Sequence, residues 1–74
     1  PILLAPSTND GLAGSAANLG ALMGRKNLYF VPFRQDDPEK KPTSLVADFS
    51  LVAEAAEWAL EGRQFQPVLM GPAS

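Results

Sequence analysis

Apolar positions fall into groups separated by polar punctuation. Ile2-Leu3-Leu4-Ala5 is a continuous apolar run, the pattern of a strand covered on both faces, and Pro6 stops it. Ser7-Thr8-Asn9-Asp10-Gly11 is a dense cluster of turn formers. Leu12, Ala16, Leu19 and Met23 then recur at helical spacing, with Ala13 and Leu22 filling in. This predicts a helix capped by Asp10 or Ser15 and ended at Gly24. After a short polar connection, Arg25-Lys26-Asn27, the aromatic and β-branched run Leu28-Tyr29-Phe30-Val31 predicts a second strand, ended by Pro32 and Phe33.

Residues 34–44, RQDDPEKKPTS, read as a charged loop with two prolines. Leu45-Val46-Ala47 is a short apolar segment, and Asp48 can cap the next helix. Phe49, Val52, Ala53, Ala56, Ala59 and Leu60 repeat at i, i+3, i+4, i+7, i+10 and i+11, an amphipathic helix closed by Gly62 and Arg63. Residues 64–70 read as a short extended segment and 71–74 as a tail.

The order strand, helix, strand, loop, helix places two parallel strands across a right-handed helical crossover. The expected fold class is α/β, the C-terminal half of a three-layer, flavodoxin-like or Rossmann-type parallel sheet. A two-stranded parallel sheet cannot cover itself, so residues 1–74 are expected to be part of one domain whose N-terminal half lies elsewhere.

Length sharpens that expectation. For a chain of 74 residues, apolar burial and ~1.5 kcal/mol of conformational entropy per residue come out nearly equal. There is no Cys and no His, so no disulfide, zinc knuckle or thiol nucleophile contributes, and the commonest metal ligand and general base is missing. No metal site is expected. Six basic residues against eight acidic ones, a formal charge of −2, disfavour nucleic acid and anionic membranes as partners. No apolar run reaches ~20 residues, and no basic stretch precedes an apolar one, so a cytoplasmic location is the default expectation.

Fold geometry points to a site. In open parallel sheets ligands bind outside the carboxyl ends of the strands. Two segments, Ser7 to Gly11 and Arg34 to Ser44, leave that edge and are expected to line one crevice. Ser7, Thr8 and Asn9 offer donors before a helix, where backbone N–H groups favour anions; the plainer reading is a turn with a helix cap. Arg34 is the most plausible single anion binder, because its planar fork matches a carboxylate; the plainer reading is a surface arginine. Gly11 and Gly14 form neither a P-loop nor a dinucleotide fingerprint. Asp36-Asp37 lacks a third ligand and reads as solvated charge, as does Glu39-Lys40-Lys41; Tyr29 and Trp58 read as packing aromatics. No catalytic constellation is visible, and the catalytic residues are left unassigned.

The residues themselves carry a resemblance. The stretches PILLAPSTNDGL (1–12), ANLG (17–20), KNLYFVPF (26–33), QDDP (35–38), KPTSLVAD (41–48), ALEGRQ (59–64) and Gln66-Pro67 together resemble the C-terminal part of the dipicolinate synthase B-subunit family. That family belongs to a flavoprotein superfamily that includes flavin-dependent cysteine decarboxylases. The resemblance implies a role in oxidising a dihydrodipicolinate-type precursor to dipicolinate during sporulation, in the mother-cell cytoplasm of a spore-forming bacterium. It implies FMN as the cofactor of the complete protein. It also implies a partner carrying NAD(P), a dehydrogenase like the A subunit of dipicolinate synthase, within an oligomer. Decarboxylase relatives carry Pro-Ala-Met-Asn after the corresponding strand; here it is Pro6-Ser7-Thr8-Asn9. Asn9 is therefore carried over as a contact to substrate or flavin. The superfamily's flavin-phosphate loops lie in the N-terminal half. Alternatives are a non-catalytic module docking on the dehydrogenase, and a decarboxylase, which the missing His and Cys disfavour.

Overall fold

The computed structural model describes residues 1–71. Of the expected tail, Gly71 is exposed, and 72–74 lie outside the described residues. Strand β1 (Ile2–Leu4) runs into β2 (Ser7–Thr8), helix α1 (Ala16–Met23) and strand β3 (Leu28–Phe30). Strands β4 (Phe33–Asp37) and β5 (Lys41–Ala47) follow, then a 3₁₀ turn (Phe49–Leu51) and helix α2 (Val52–Leu60).

β1 and β3 pair in parallel, Ile2 opposite Leu28 and Leu4 opposite Phe30, with α1 as the crossover. α1 packs on β3, and α2 packs on both strands. The chain is thus α/β with a parallel pair, as its periodicity predicts. The core is Phe30, Val31, Phe33, Leu45, Ala47 and Ala55.

Three expectations are corrected. The charged loop 34–44 is a β-hairpin. β4 and β5 pair antiparallel, with Arg34 opposite Val46 and Gln35 opposite Leu45. An antiparallel sheet tolerates water on one face, so charged residues do not prevent strand formation there. The pairing shifts between Gln35 and Asp37, so residues 42–44 bulge opposite Asp36, and a bulge accommodates Pro42. The carboxylates organise this hairpin: Lys40 N donates to Asp37 Oδ1 at 3.2 Å, and Lys41 Nζ lies 3.6 Å from Asp36 Oδ2.

The turn Ser7–Gly11 begins as strand β2. Ser7 pairs with Val46 and Thr8 with Leu45, giving a three-stranded sheet of order β2-β5-β4. α1 then begins at Ala16 rather than Leu12, and residues 9–15 form turns. Both candidate caps are engaged differently from expectation: Ser15 occupies the N-cap without a side-chain cap bond, and its hydroxyl donates instead to Asp10 Oδ1 at 2.8 Å. Gly11 lies so close to β5 that a Cβ on it would stand 2.7 Å from Leu45 Cδ1. Gly24 does end the helix, though in right-handed conformation (φ −85°).

The third correction concerns the face of α2. Asp48 caps the segment as expected, accepting from Ser50 N at 3.0 Å, and Gly62 closes it in left-handed conformation (φ +73°), where glycine is unstrained. The buried residues are Ala55, which lies off the predicted stripe, and Ala59, which belongs to it. Of the predicted stripe, Phe49 and Leu60 are 61% and 77% exposed. Small alanines let the helix approach the strands closely, and the bulky apolar side turns outward. Of the segment 64–70, expected to be extended, only residues 68–70 join β4, while the chain bends at Gln66 and Val68: Phe33 N donates to Val68 O at 2.9 Å and Met70 N to Phe33 O at 2.8 Å.

Candidate functional site

Both segments expected at the site leave the carboxyl ends of the parallel pair: β2 follows β1, and β4 follows β3. They do not meet as loops. They flank β5 in one sheet, and its register decides which side chains share a face. Ser7 lies opposite Val46, and Val46 lies opposite Arg34. Directly opposed residues of antiparallel strands project to the same face. Ser7, Val46 and Arg34 therefore form one row, two strand spacings wide, or about 9–10 Å. Its ends are polar and its centre apolar.

Thr8 is one position along and so projects to the other face. Its hydroxyl donates to Asp10 Oδ1 at 2.7 Å. Asp10 thus receives Thr8 and Ser15, and these hydrogen bonds, Thr8 first, lower its pKa below the ordinary aspartate value. Thr8 is committed to this turn, which is the plainer of its two readings. Asn9 sits at the exposed tip, its backbone oxygen accepting from Thr43 Oγ1 at 2.7 Å. Leu12 N donates to Thr43 O at 3.0 Å, so the bulge of β5 anchors the whole turn. The Ser7 and Asn9 side chains make no hydrogen bond among the described residues and are exposed.

Arg34 is anchored. Its Nη2 donates to Asp48 Oδ2 at 2.7 Å and to Met70 Sδ at 3.3 Å. The two charged side chains are 25% and 24% exposed. The other carboxylate oxygen, Asp48 Oδ1, accepts from Ser50 Oγ at 2.5 Å and Ser50 N at 3.0 Å. The Ser50 hydroxyl, more than the arginine, lowers the pKa of Asp48. Asp48 was legible in the sequence as a helix cap; its grip on Arg34, 14 residues away, was not, and neither was the contact from Met70. No periodicity links those positions. Three elements converge there only because β4 pairs on one side with β5 and on the other with the 68–70 segment.

An apolar groove of about 190 Å³ lies along α1, lined by Leu12, Leu19, Met23, Phe33, Leu45 and Leu69 among others. It lacks the polar groups that would orient a small acid. Among the described residues no group of three or more Asp or Glu is placed to hold a metal ion. No helix of the described residues is long and apolar enough to cross a membrane.

Comparison with known proteins bears on this geometry directly. The B subunit of dipicolinate synthase from Bacillus subtilis (strain 168) is 49% identical over 70 residues, 95% of this chain. The chain matches the C-terminal part of the dipicolinate synthase B subunit. The crystal structure of the dipicolinate synthase B subunit from Bacillus halodurans C superposes with a TM-score of 0.95 at 46% identity over 99% of this chain. No protein-family model matches. The chain spans 35% and 37% of the lengths of these two proteins, about a third of each. The resemblance read from the residue stretches is thus borne out in both sequence and fold. The hairpin β4–β5 and the Ser7–Val46–Arg34 row lie inside the matched region.

Proposed function

We propose that this chain forms part of a dipicolinate synthase B subunit. In this reading it contributes to oxidation of a dihydrodipicolinate-type precursor to dipicolinate during sporulation, in the cytoplasm of the mother cell. The observation that carries the reading is the match in sequence and fold over nearly the whole chain. The chemistry of the row supports it. Dipicolinate is a flat ring bearing two carboxylates. Arg34 suits one carboxylate, the Ser7 hydroxyl suits the other, and Val46 offers an apolar floor between them.

The exposed Asn9 carboxamide carries both donors and an acceptor, a set that fits the polar edge of a flavin ring. FMN in the complete protein, when bound, supplies a hydride acceptor. In this reading Asn9 and Ser7 hold and orient the ring edge or substrate. The proposed partner, within an oligomer, is a dehydrogenase carrying NAD(P) and resembling the A subunit of dipicolinate synthase.

The test is genetic and chemical. A spore former whose gene for this protein is replaced by an Arg34→Ala or Asn9→Ala allele should make spores depleted in dipicolinate, with the protein still present at normal level. Normal dipicolinate in both strains would refute the reading.

A second reading has its own observation. The outward stripe of Phe49, Val52 and Leu60 suits a docking module for the dehydrogenase. It predicts that Leu60→Glu lowers dipicolinate by breaking the complex, while Arg34→Ala and Asn9→Ala leave it unchanged. Pull-down of the dehydrogenase by each variant distinguishes the two.

A further inference from the structure

Arg34 and Asp48 do more than form a surface ion pair. A guanidinium carries five N–H donors. The two contacts of Arg34 both use Nη2. Its donors on Nε and Nη1 have no partner among the described residues.

The carboxylate that holds it is itself held. Asp48 Oδ1 receives both the hydroxyl and the backbone N–H of Ser50, at the turn leading into α2. Asp48 N donates to Pro32 O at 2.8 Å, tying the same residue to the segment between β3 and β4. A carboxylate fixed at one oxygen cannot swing, so the other oxygen, Oδ2, is a fixed point. Arginine is long and rich in rotamers, and ordering such a side chain on ligand binding weakens affinity. The arrangement meets that cost in the folded protein, before a ligand arrives.

We propose that Asp48 is a positioning residue. It locks Arg34 so that the unspent Nε and Nη1 donors are presented to one carboxylate of a small planar dicarboxylate, whose second carboxylate lies toward Ser7. The proposal rests on the dicarboxylate reading of the Ser7–Val46–Arg34 row. Asp48 touches no ligand and acts only through Arg34. Met70 Sδ, a weak acceptor on the same nitrogen, steadies the lock and is displaceable.

The proposal separates two tasks of one side chain. Asp48→Asn keeps an oxygen for the Ser50 cap and replaces the oxygen that grips Arg34 with an amide that cannot accept. The experiment titrates the full-length protein with pyridine-2,6-dicarboxylate by calorimetry. It compares wild type, Asp48→Asn, Arg34→Ala and the double variant, each checked by thermal melting.

Arg34→Ala should weaken binding about tenfold or more, the scale of a charge-assisted hydrogen bond. Asp48→Asn should weaken it several-fold in the wild-type background and not at all in the Arg34→Ala background. An equal loss in both backgrounds would show that Asp48 acts without Arg34 and would overturn the proposal. So would unchanged affinity in Asp48→Asn beside a loss in Arg34→Ala. Unchanged affinity in Arg34→Ala itself would overturn the dicarboxylate reading of the row, and this proposal with it. Should Asp48→Asn fail to fold, Ser50→Ala, which removes the hydroxyl that holds Oδ1 while leaving the backbone N–H and the charge, takes its place in the same cycle with the same expected pattern.

Discussion

The side chain of Gln64 holds Phe30 by both of its backbone groups. Phe30 N donates to Gln64 Oε1 at 2.8 Å, and Gln64 Nε2 donates to Phe30 O at 2.6 Å. A primary amide thus stands in for a neighbouring strand at the end of β3. The same nitrogen reaches Phe65 O at 3.0 Å, fixing the chain where it leaves α2. Gln64→Ala leaves a donor and an acceptor of a buried residue without partners, at about 1–3 kcal/mol for each group left unsatisfied. Chemical denaturation of the full-length protein should show a loss of about 2 kcal/mol or more. A loss under about 0.5 kcal/mol would mean that water replaces the amide.

Gly11 and Leu45 are coupled by contact. A Cβ at Gly11 would stand 2.7 Å from Leu45 Cδ1 and 2.9 Å from its Cγ, and Leu45 is buried in the core. Gly11→Ala should cost about 1–3 kcal/mol, the usual range for overpacking. Leu45→Ala alone should cost about 2–5 kcal/mol by opening a cavity. The double variant should be less destabilised than the two losses added together, because the new methyl occupies vacated space. Strict additivity in a denaturation cycle would contradict the close approach.

Acid should loosen the turn and the helix cap. Hydrogen bonds from Thr8 and Ser15 depress the pKa of Asp10, and those from Ser50 depress that of Asp48. A depressed folded-state pKa means that the unfolded chain binds the proton more readily. The stabilisation is therefore complete above the unfolded value and is lost as pH falls through the folded one. The relevant window lies below about pH 4. Carboxyl resonances followed by NMR should place both groups below the usual aspartate value, and Thr8→Ala with Ser15→Ala should return Asp10 toward it. An Asp10 titration unaffected by those substitutions would remove the hydroxyls as the cause.

Asn9 should be dispensable for folding and needed for binding. Its side chain makes no hydrogen bond among the described residues, while its backbone oxygen is anchored by Thr43. Asn9→Ala should therefore change the melting temperature little, since exposed substitutions usually stay within about 0.5 kcal/mol. Flavin or dipicolinate binding to the full-length protein should fall. Retained binding would reassign Asn9 to the turn alone.

Local pattern was a good guide wherever residue type and spacing carried the signal by themselves. The run Ile2–Ala5, the run Leu28–Val31 and the helix between them yield a parallel pair, because a helical crossover leaves few other connections. Asp48 is legible as a cap because its bond reaches only to Ser50. The family resemblance likewise rests on residue identity, which needs no coordinates. The hairpin was not legible, since its strands are charged, carry Pro42 and bulge at residues 42–44. Nothing local separates such a segment from a loop.

The division has a physical cause. The sequence alone determined where the parallel strands and the two helices lie, where those helices end, and that Ser7, Asn9 and Arg34 are candidates. Tertiary structure decided which of them act together. Backbone N–H and C=O groups of segments roughly 30–40 residues apart must find one another, and the register they settle into put Ser7 and Arg34 on one face and Thr8 on the other. The same pairing brought Asp48 under the Arg34 guanidinium. Close packing on β1 and β3 then buried Ala55 and Ala59 of α2 and left Phe49 and Leu60 facing outward, because only small side chains fit there.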